Sequence, residues 1–326
     1  MKAHVIIQNG QASDVFRMVD LEMPKLKPDE VLVEVQYTSV NPLDCRIRSI
    51  PNPQRVFPVT LGYDVFGIIT EVGSEVHDLH AGDRIIASPS PFLPGANAEY
   101  IVLKSILCLK VERLNPVIGA AIPLVGITAY EALFDKLKLQ ATDTVLIHAG
   151  AGGVGHVAVQ LAKYTGCKVI TTASRPESIE FCKHTLKADH VINYQTENLK
   201  VCIDALTDNK GVDHILDTVG GETFSHSLAC LSIGGHICTV LPVSIDPAAG
   251  YANLLKNINI SYEFMGVSGA TGRHRTILNE LVTLIEKKQL VPYVSEVFDF
   301  EDIDKAHLRI EEKHTIGKIV IKVQGE

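Results

Sequence analysis

Thr144-Val145-Leu146-Ile147-His148-Ala149-Gly150-Ala151-Gly152-Gly153-Val154-Gly155 decides the fold. The first five residues are an apolar run of strand length, and Val154 to Tyr164 carries apolar residues at helical spacing. Between them lies G-x-G-x-x-G at Gly150, Gly152 and Gly155, so the motif follows a strand and opens a helix. Gly150 is expected to make the tight turn, Gly152 to let a pyrophosphate approach the backbone, and Gly155 to bring helix and strand together. The unpaired N–H groups at the start of the helix would face the phosphates. The plain alternative is a glycine turn in an empty strand-helix unit.

The end of the next strand selects the cofactor. A fold that binds NAD places Asp or Glu there to hold the ribose hydroxyls, whereas here the strand ends Thr171-Thr172-Ala173-Ser174-Arg175. A carboxylate would repel a 2′-phosphate, while Ser174 can donate a hydrogen bond and Arg175 charge-assisted ones. NADP(H) is therefore the expected cofactor. Ser174 is also placed to cap the following helix, with Arg175 exposed beside it.

Working outward, the strand-turn-helix alternation continues through Lys168–Thr172, His190–Asn193, His214–Asp217 and His236–Leu241. It predicts a parallel sheet covered on both faces over residues 119–291. Residues 1–118 have another texture. Glu30-Val31-Leu32-Val33-Glu34-Val35-Gln36-Tyr37 is close to alternation, and Phe66 to Val72 reads as a strand. Ser295–Phe300 and Lys318–Val323 resemble that first texture, so residues 292–326 are expected to rejoin residues 1–118 in one β-rich domain. The expected class is α/β, with two domains.

Composition narrows the function. With 30 basic and 38 acidic residues the net charge is −8, which disfavours nucleic-acid and anionic-membrane partners. The N-terminal Met-Lys-Ala-His-Val-Ile-Ile-Gln lacks a signal-peptide pattern, and the chargeless stretch from Thr223 to Ile245 is too polar to span a bilayer. Seven cysteines, an odd number without a C-x-x-C pair, support neither a disulfide framework nor a four-cysteine zinc site. A reducing cytoplasm is expected.

Several ordered motifs then carry a resemblance over nearly the whole chain. They are Asn41-Pro42-Leu43-Asp44, Gly62-Tyr63-Asp64-Val65-Phe66-Gly67, Glu71-Val72-Gly73, Gly82-Asp83-Arg84, Ala98-Glu99-Tyr100, Leu124 to Tyr130, the glycine motif, Ala188 to Tyr194, Asp217 to Gly221, and Gly317-Lys318. Together they resemble the medium-chain dehydrogenase/reductase superfamily, and within it the zinc-independent quinone oxidoreductases. The resemblance implies a GroES-like substrate domain, a Rossmann domain and an active-site cleft between them. It implies that Asn41 and Thr128 lie beside the nicotinamide and its ribose, that Gly152 to Val154 contact the pyrophosphate, and that Ser174, Arg175 and Tyr194 surround the 2′-phosphate and adenine. Ser178 stands where many relatives carry a further basic residue, so Arg175 is left to supply that charge. Lys318 either reaches the cofactor from the tail or is a solvated lysine on an edge strand.

The same comparison addresses the metal. Zinc members of the superfamily have Cys in place of Asn41, His-Glu in place of Tyr63-Asp64 and Cys or His in place of Leu124, and they add a four-cysteine lobe that is absent here. No metal is expected, and Cys45 is read as a packed residue. Arg46 stands where quinone oxidoreductases often place a tyrosine; it either orients a carbonyl or enolate oxygen or pairs with a surface carboxylate. Tyr63 is the other hydroxyl donor, or pocket wall.

Without a Lewis acid for alcohol oxidation, the expected reaction is hydride transfer from NADPH to a quinone. The alternatives are reduction of α,β-unsaturated aldehydes or ketones, and an NADPH-binding protein without turnover. The alternating stretch Asn257 to Met265 predicts a strand at the edge of the Rossmann sheet, through which relatives commonly form homodimers.

Overall fold

The structure, a computed structural model, describes residues 1–246, 250–313 and 315–324. Two compact units emerge. The first comprises Met1–Leu124, Gly266–Glu286 and Pro292–Glu326, and the second Val125–Met265 with Lys287–Val291.

The first unit contains strands β1 (Lys2–Ile6), β2 (Phe16–Asp20), β3 (Glu30–Val40), β4 (Val59–Thr60), β5 (Val65–Val72), β6 (Arg84–Ala87), β7 (Tyr100–Lys104) and β8 (Leu109–Lys110). Alternation in β3 turns Val31, Val33 and Val35 into one core with Val65, Ile69, Ile85, Ile101 and Leu103. Burying each such side chain contributes ~1.5–3 kcal/mol. β3 pairs antiparallel with both β5 and β7.

The second unit is built on β9 (Thr144–Ile147), β10 (Lys168–Ala173), β11 (His190–Asn193), β12 (Val212–Asp217), β13 (Leu231–Thr239) and β14 (Asn259–Tyr262). All are parallel, in the order β11-β10-β9-β12-β13-β14. That order reverses between β9 and β12, and in an open parallel sheet the crevice at such a reversal is where a ligand binds. The glycine turn follows β9, at that point. β14 lies at the sheet edge and is shorter than the alternating stretch from Asn257 to Met265.

The chain then returns to the first unit with β15 (Val294–Asp299) and β16 (Lys318–Lys322). β16 sits between β15 and β3, parallel to one and antiparallel to the other. Gly266–Glu286 also falls in the first unit, although its sequence position places it in the expected 119–291 domain. The helix Arg273–Glu286 packs on β8 and the turn Ser105–Leu107, and Arg275 pairs with Asp78 at 2.5 Å. Amphipathic spacing reveals that helix but not which sheet it covers.

Candidate functional site

In the first unit, Asn41-Pro42-Leu43-Asp44 starts the helix Pro42–Ser49. Asn41 is the N-cap, Pro42 needs no N–H in the first turn, and Asp44 Oδ2 accepts the Asn41 backbone N–H at 2.9 Å. Asp44 Oδ1 accepts the N–H of Gly62 at 2.9 Å, so the helix start is tied to the turn carrying Tyr63 and Asp64. Burial pushes the Asp44 carboxyl up to about 6, against the lowering effect of those two N–H donors.

Asp64, fully buried, is the hub. Its Oδ2 accepts from Ser39 Oγ at 2.5 Å and Asn41 Nδ2 at 2.8 Å, and its Oδ1 accepts the N–H of Leu124 at 2.7 Å. Lys318 approaches the same carboxylate at 3.4 Å and donates to Asn41 Oδ1 and, at 3.2 Å, to the Val40 carbonyl oxygen. Lys318 is 3% exposed and lies on an interior strand, which corrects the expectation of a solvated lysine on a sheet edge. Desolvation lowers its pKa, while Asp64 and Asp44 oppose that shift. The importance of Asp64 is missed by sequence reading; its signal was its place beside Tyr63, where zinc relatives carry a carboxylate.

Tyr63 is buried, and desolvation raises its pKa, with Asp44 adding to the shift and Arg55 opposing it. Its hydroxyl stays protonated. Arg46 lies on the helix Pro42–Ser49 but is exposed and makes no salt bridge among the described residues, so the surface carboxylate expected as its partner is not found. Cys45 is buried against His307.

Of the positions that hold zinc ligands in zinc relatives (Asn41, the pair Tyr63-Asp64, and Leu124), Asp64 is hydrogen-bonded to both Asn41 and Leu124, but these residues do not form a zinc donor set. Leu124 contributes only a backbone N–H, and the Lys318 ammonium binds the oxygens of Asn41 and Asp64 where a cation would need them. Among the described residues no group of three His, Cys, Asp or Glu side chains could hold a metal ion.

In the second unit, the glycine turn is held from below. His148 is buried, and its Nδ1 and Nε2 lie 3.3 Å and 2.7 Å from the hydroxyls of Thr172 and Ser227. Thr172 Oγ1 accepts the N–H of Ala149 at 3.0 Å, and the Thr172 carbonyl oxygen accepts that of Gly150 at 3.1 Å. Burial lowers the His148 pKa to about 4, so the ring is a neutral structural pin. The left-handed residue of the turn is Ala149, at φ 51°, rather than Gly150. Gly150 is needed because a Cβ there would strike the Thr171 side chain, and Gly155 because its Cβ would strike the Ala149 carbonyl oxygen.

Gly152 is the N-cap of the 13-residue helix Gly153–Thr165, where Gly153 and Val154 form the first turn. The first backbone N–H groups of a helix lack intrahelical acceptors, and this cradle fits a pyrophosphate. Ser174 Oγ donates to Tyr194 Oη at 3.0 Å, placing both at the ends of β10 and β11 with Arg175 next in the chain. Arg175, rather than Ser174, occupies the N-cap of the helix Pro176–Glu180 and lies 3.4 Å from Ser178 Oγ. Thr128 is buried on the helix Pro123–Tyr130.

The comparisons agree with this architecture. Residues 27–113 match the family described as alcohol dehydrogenase GroES-like domain, and residues 186–321 the family described as zinc-binding dehydrogenase. The zinc-type alcohol dehydrogenase-like protein of Staphylococcus epidermidis is 32% identical over 95% of each chain. The solved quinone oxidoreductase from Coxiella burnetii is 32% identical, covers 99% of each chain and superposes with a TM-score of 0.87. That of Escherichia coli, solved in complex with NADPH, is 26% identical, covers 99% of this chain and all of its own, and has a TM-score of 0.91. The chain belongs to the medium-chain dehydrogenase/reductase superfamily, with its GroES-like and Rossmann units, and is an oxidoreductase of that superfamily. No helix among the described residues is long and apolar enough to cross a membrane.

Proposed function

We propose that the protein is an NADPH-dependent reductase that transfers hydride to quinones without zinc. The observation that carries this reading is the Lys318 ammonium bound to Asn41 and Asp64, which takes up oxygens that a metal would need and so favours an acceptor already poor in electrons over an alcohol. The likeness to the two solved quinone oxidoreductases supports it.

When bound, NADPH supplies the hydride. Gly150, Gly152, Gly153 and Val154 hold its pyrophosphate at the helix start, and Ser174, Arg175 and Tyr194 hold the 2′-phosphate and adenine. Asn41 and Thr128 serve the reactive end. Arg46, exposed and without a carboxylate partner among the described residues, is available to orient the acceptor's oxygen. Tyr63 retains its proton at physiological pH and lines the acceptor side. The acceptor gains two electrons with the hydride, and a proton from water or Tyr63 completes the hydroquinone.

In this reading the first unit serves the acceptor and the second the cofactor. The protein works in a reducing cytoplasm, consistent with seven free cysteines, and forms a homodimer through the edge strand β14, where Tyr262 is exposed, with Phe264 exposed just beyond the strand.

The test is NADPH oxidation with 1,4-naphthoquinone and with a short 2-alkenal. A higher kcat/KM for the quinone is expected, a higher value for the alkenal would reassign the acceptor, and NADPH binding without turnover on any acceptor would leave only a binding role.

A further inference from the structure

Lys318 is a charged side chain turned wholly inward. Its three ammonium protons are matched by three acceptors, the Val40 carbonyl oxygen, Asn41 Oδ1 and Asp64 Oδ2. None is left for a cofactor phosphate or a substrate, so its contribution must pass through one of these partners.

Asn41 is the partner that can pass it on. Its amide is fixed in one orientation, with the oxygen toward the ammonium and Nδ2 toward Asp64 at 2.8 Å. The reverse orientation would set two groups of donors against each other. Asp64 takes one of the two Nδ2 protons, and no described residue takes the other. In a buried site, hydrogen-bonded groups polarise one another. A positive charge on the amide oxygen draws electron density toward it and strengthens the remaining N–H as a donor.

We infer that Lys318 is a positioning residue that orients and polarises the Asn41 amide, so that the free Asn41 N–H donates to the acceptor oxygen that becomes negative during hydride transfer. This rests on the reductase reading of Asn41. No bond forms or breaks at Lys318, which keeps its proton throughout. Asp64 balances the ammonium, so the buried group carries both charges of a pair. A single amide N–H aimed at a developing oxyanion is the kind of donor whose removal costs about 10²–10³ in rate.

The test uses the full chain and four variants: Lys318→Arg, Asn41→Ala, Lys318→Met/Asp64→Asn, and that pair combined with Asn41→Ala. Changing Lys318 and Asp64 together avoids stranding one charge in the interior. Stopped-flow oxidation of bound NADPH by 1,4-naphthoquinone reads hydride transfer, fluorescence reads NADPH affinity, and absorbance reads binding of 4-nitrophenolate, a stable mimic of the oxyanion. Lys318→Met/Asp64→Asn is expected to bind NADPH within about threefold of the parent, yet lose on the order of 10²-fold in rate and comparable phenolate affinity. Lys318→Arg should recover most of both. Asn41→Ala should lose as much, with no further loss when combined with the pair, because the residues act as one unit.

Parent-like rate and phenolate affinity in Lys318→Met/Asp64→Asn would overturn the inference, as would losses that multiply with Asn41→Ala. A parent that fails to oxidise NADPH with any acceptor sinks the reductase reading instead, and the phenolate affinities of parent and variants then still decide the role of Lys318.

Discussion

His307 Nδ1 lies 3.5 Å from Cys45 Sγ, and both side chains are buried although 262 residues separate them. Neither is poised for chemistry: burial pushes the thiol up to about 12 and the imidazole down to about 3. The pair is neutral packing between the helices Pro42–Ser49 and Ile303–Glu311.

Burial of neutral histidines makes the fold acid-sensitive. His307, with a folded pKa near 3, and His148, near 4, both stay neutral in the fold while an unfolded chain protonates them below about 6.5. Their stabilisation is therefore complete above pH 6.5 and declines as pH falls through that value, by ~1.4 kcal/mol per pH unit for each ring. Urea unfolding between pH 7 and pH 4.5 should show a shallower decline for His307→Phe than for the parent. Equal slopes would mean that His307 titrates normally in the fold.

Asp64 and Lys318 should show strong coupling. Asp64→Ala leaves a buried ammonium without its carboxylate and is expected to cost ~3–5 kcal/mol. Adding Lys318→Met removes the stranded charge, so the double variant should be more stable than Asp64→Ala alone. Denaturant midpoints of Asp64→Ala, Lys318→Met, the double variant and the parent check this; additive losses would show that the ion pair contributes little.

Glu263 has the opposite pH signature to His307. It is buried, and desolvation followed by the neighbouring Glu131 carboxyl raises its pKa to about 8. Lys136 lies 3.7 Å away, close enough to suggest a simple ion pair, but two carboxyls in one buried place share a proton and Lys136 balances the charge that remains. The unfolded chain ionises Glu263 above about 4.5 while the fold keeps it protonated, so stability is lost as pH rises toward 8. Glu263→Gln should gain on the parent across that window, by at most ~1.4 kcal/mol per pH unit, and level off above it. Thermal unfolding at pH 5, 6.5 and 8 measures the trend; a pH-independent difference would place the shared proton elsewhere.

If the protein is the NADPH-dependent reductase proposed above, Arg175 is the residue expected to set cofactor preference. Removing its guanidinium in Arg175→Ala should weaken NADPH binding by about 10–100-fold and leave NADH nearly unchanged, because only NADPH carries the 2′-phosphate. Fluorescence titration with both nucleotides distinguishes this from a general loss of binding.

Much of this was legible in the sequence where signals are local. The glycine turn, its flanking strand and helix, and the alternation of β3 are each contained within 13 residues or fewer. The burial of Lys318 was not, because Gly317-Lys318-Ile319-Val320 reads equally well as an edge strand until β15 and β3 are found on either side. Glu131 and Glu263 lie far apart in the chain, and the π-helical turn Glu131–Lys136 has no period that the apolar pattern reveals. Ala149 takes the left-handed conformation beside a glycine that invites the assignment instead.

β16 supplies Lys318 to a cluster whose other members, Ser39, Asn41, Asp44 and Asp64, are all made well before it. A ribosome adding ~5–20 residues per second needs on the order of 15–55 s to travel the 277 residues from Asn41 to Lys318. Throughout that interval Asp64 lacks its cation and β3 lacks its β16 neighbour. The second unit, whose six strands all precede β15, can mature while the first waits. The order of synthesis thus makes the surroundings of Asn41 among the last parts of the first unit to be completed.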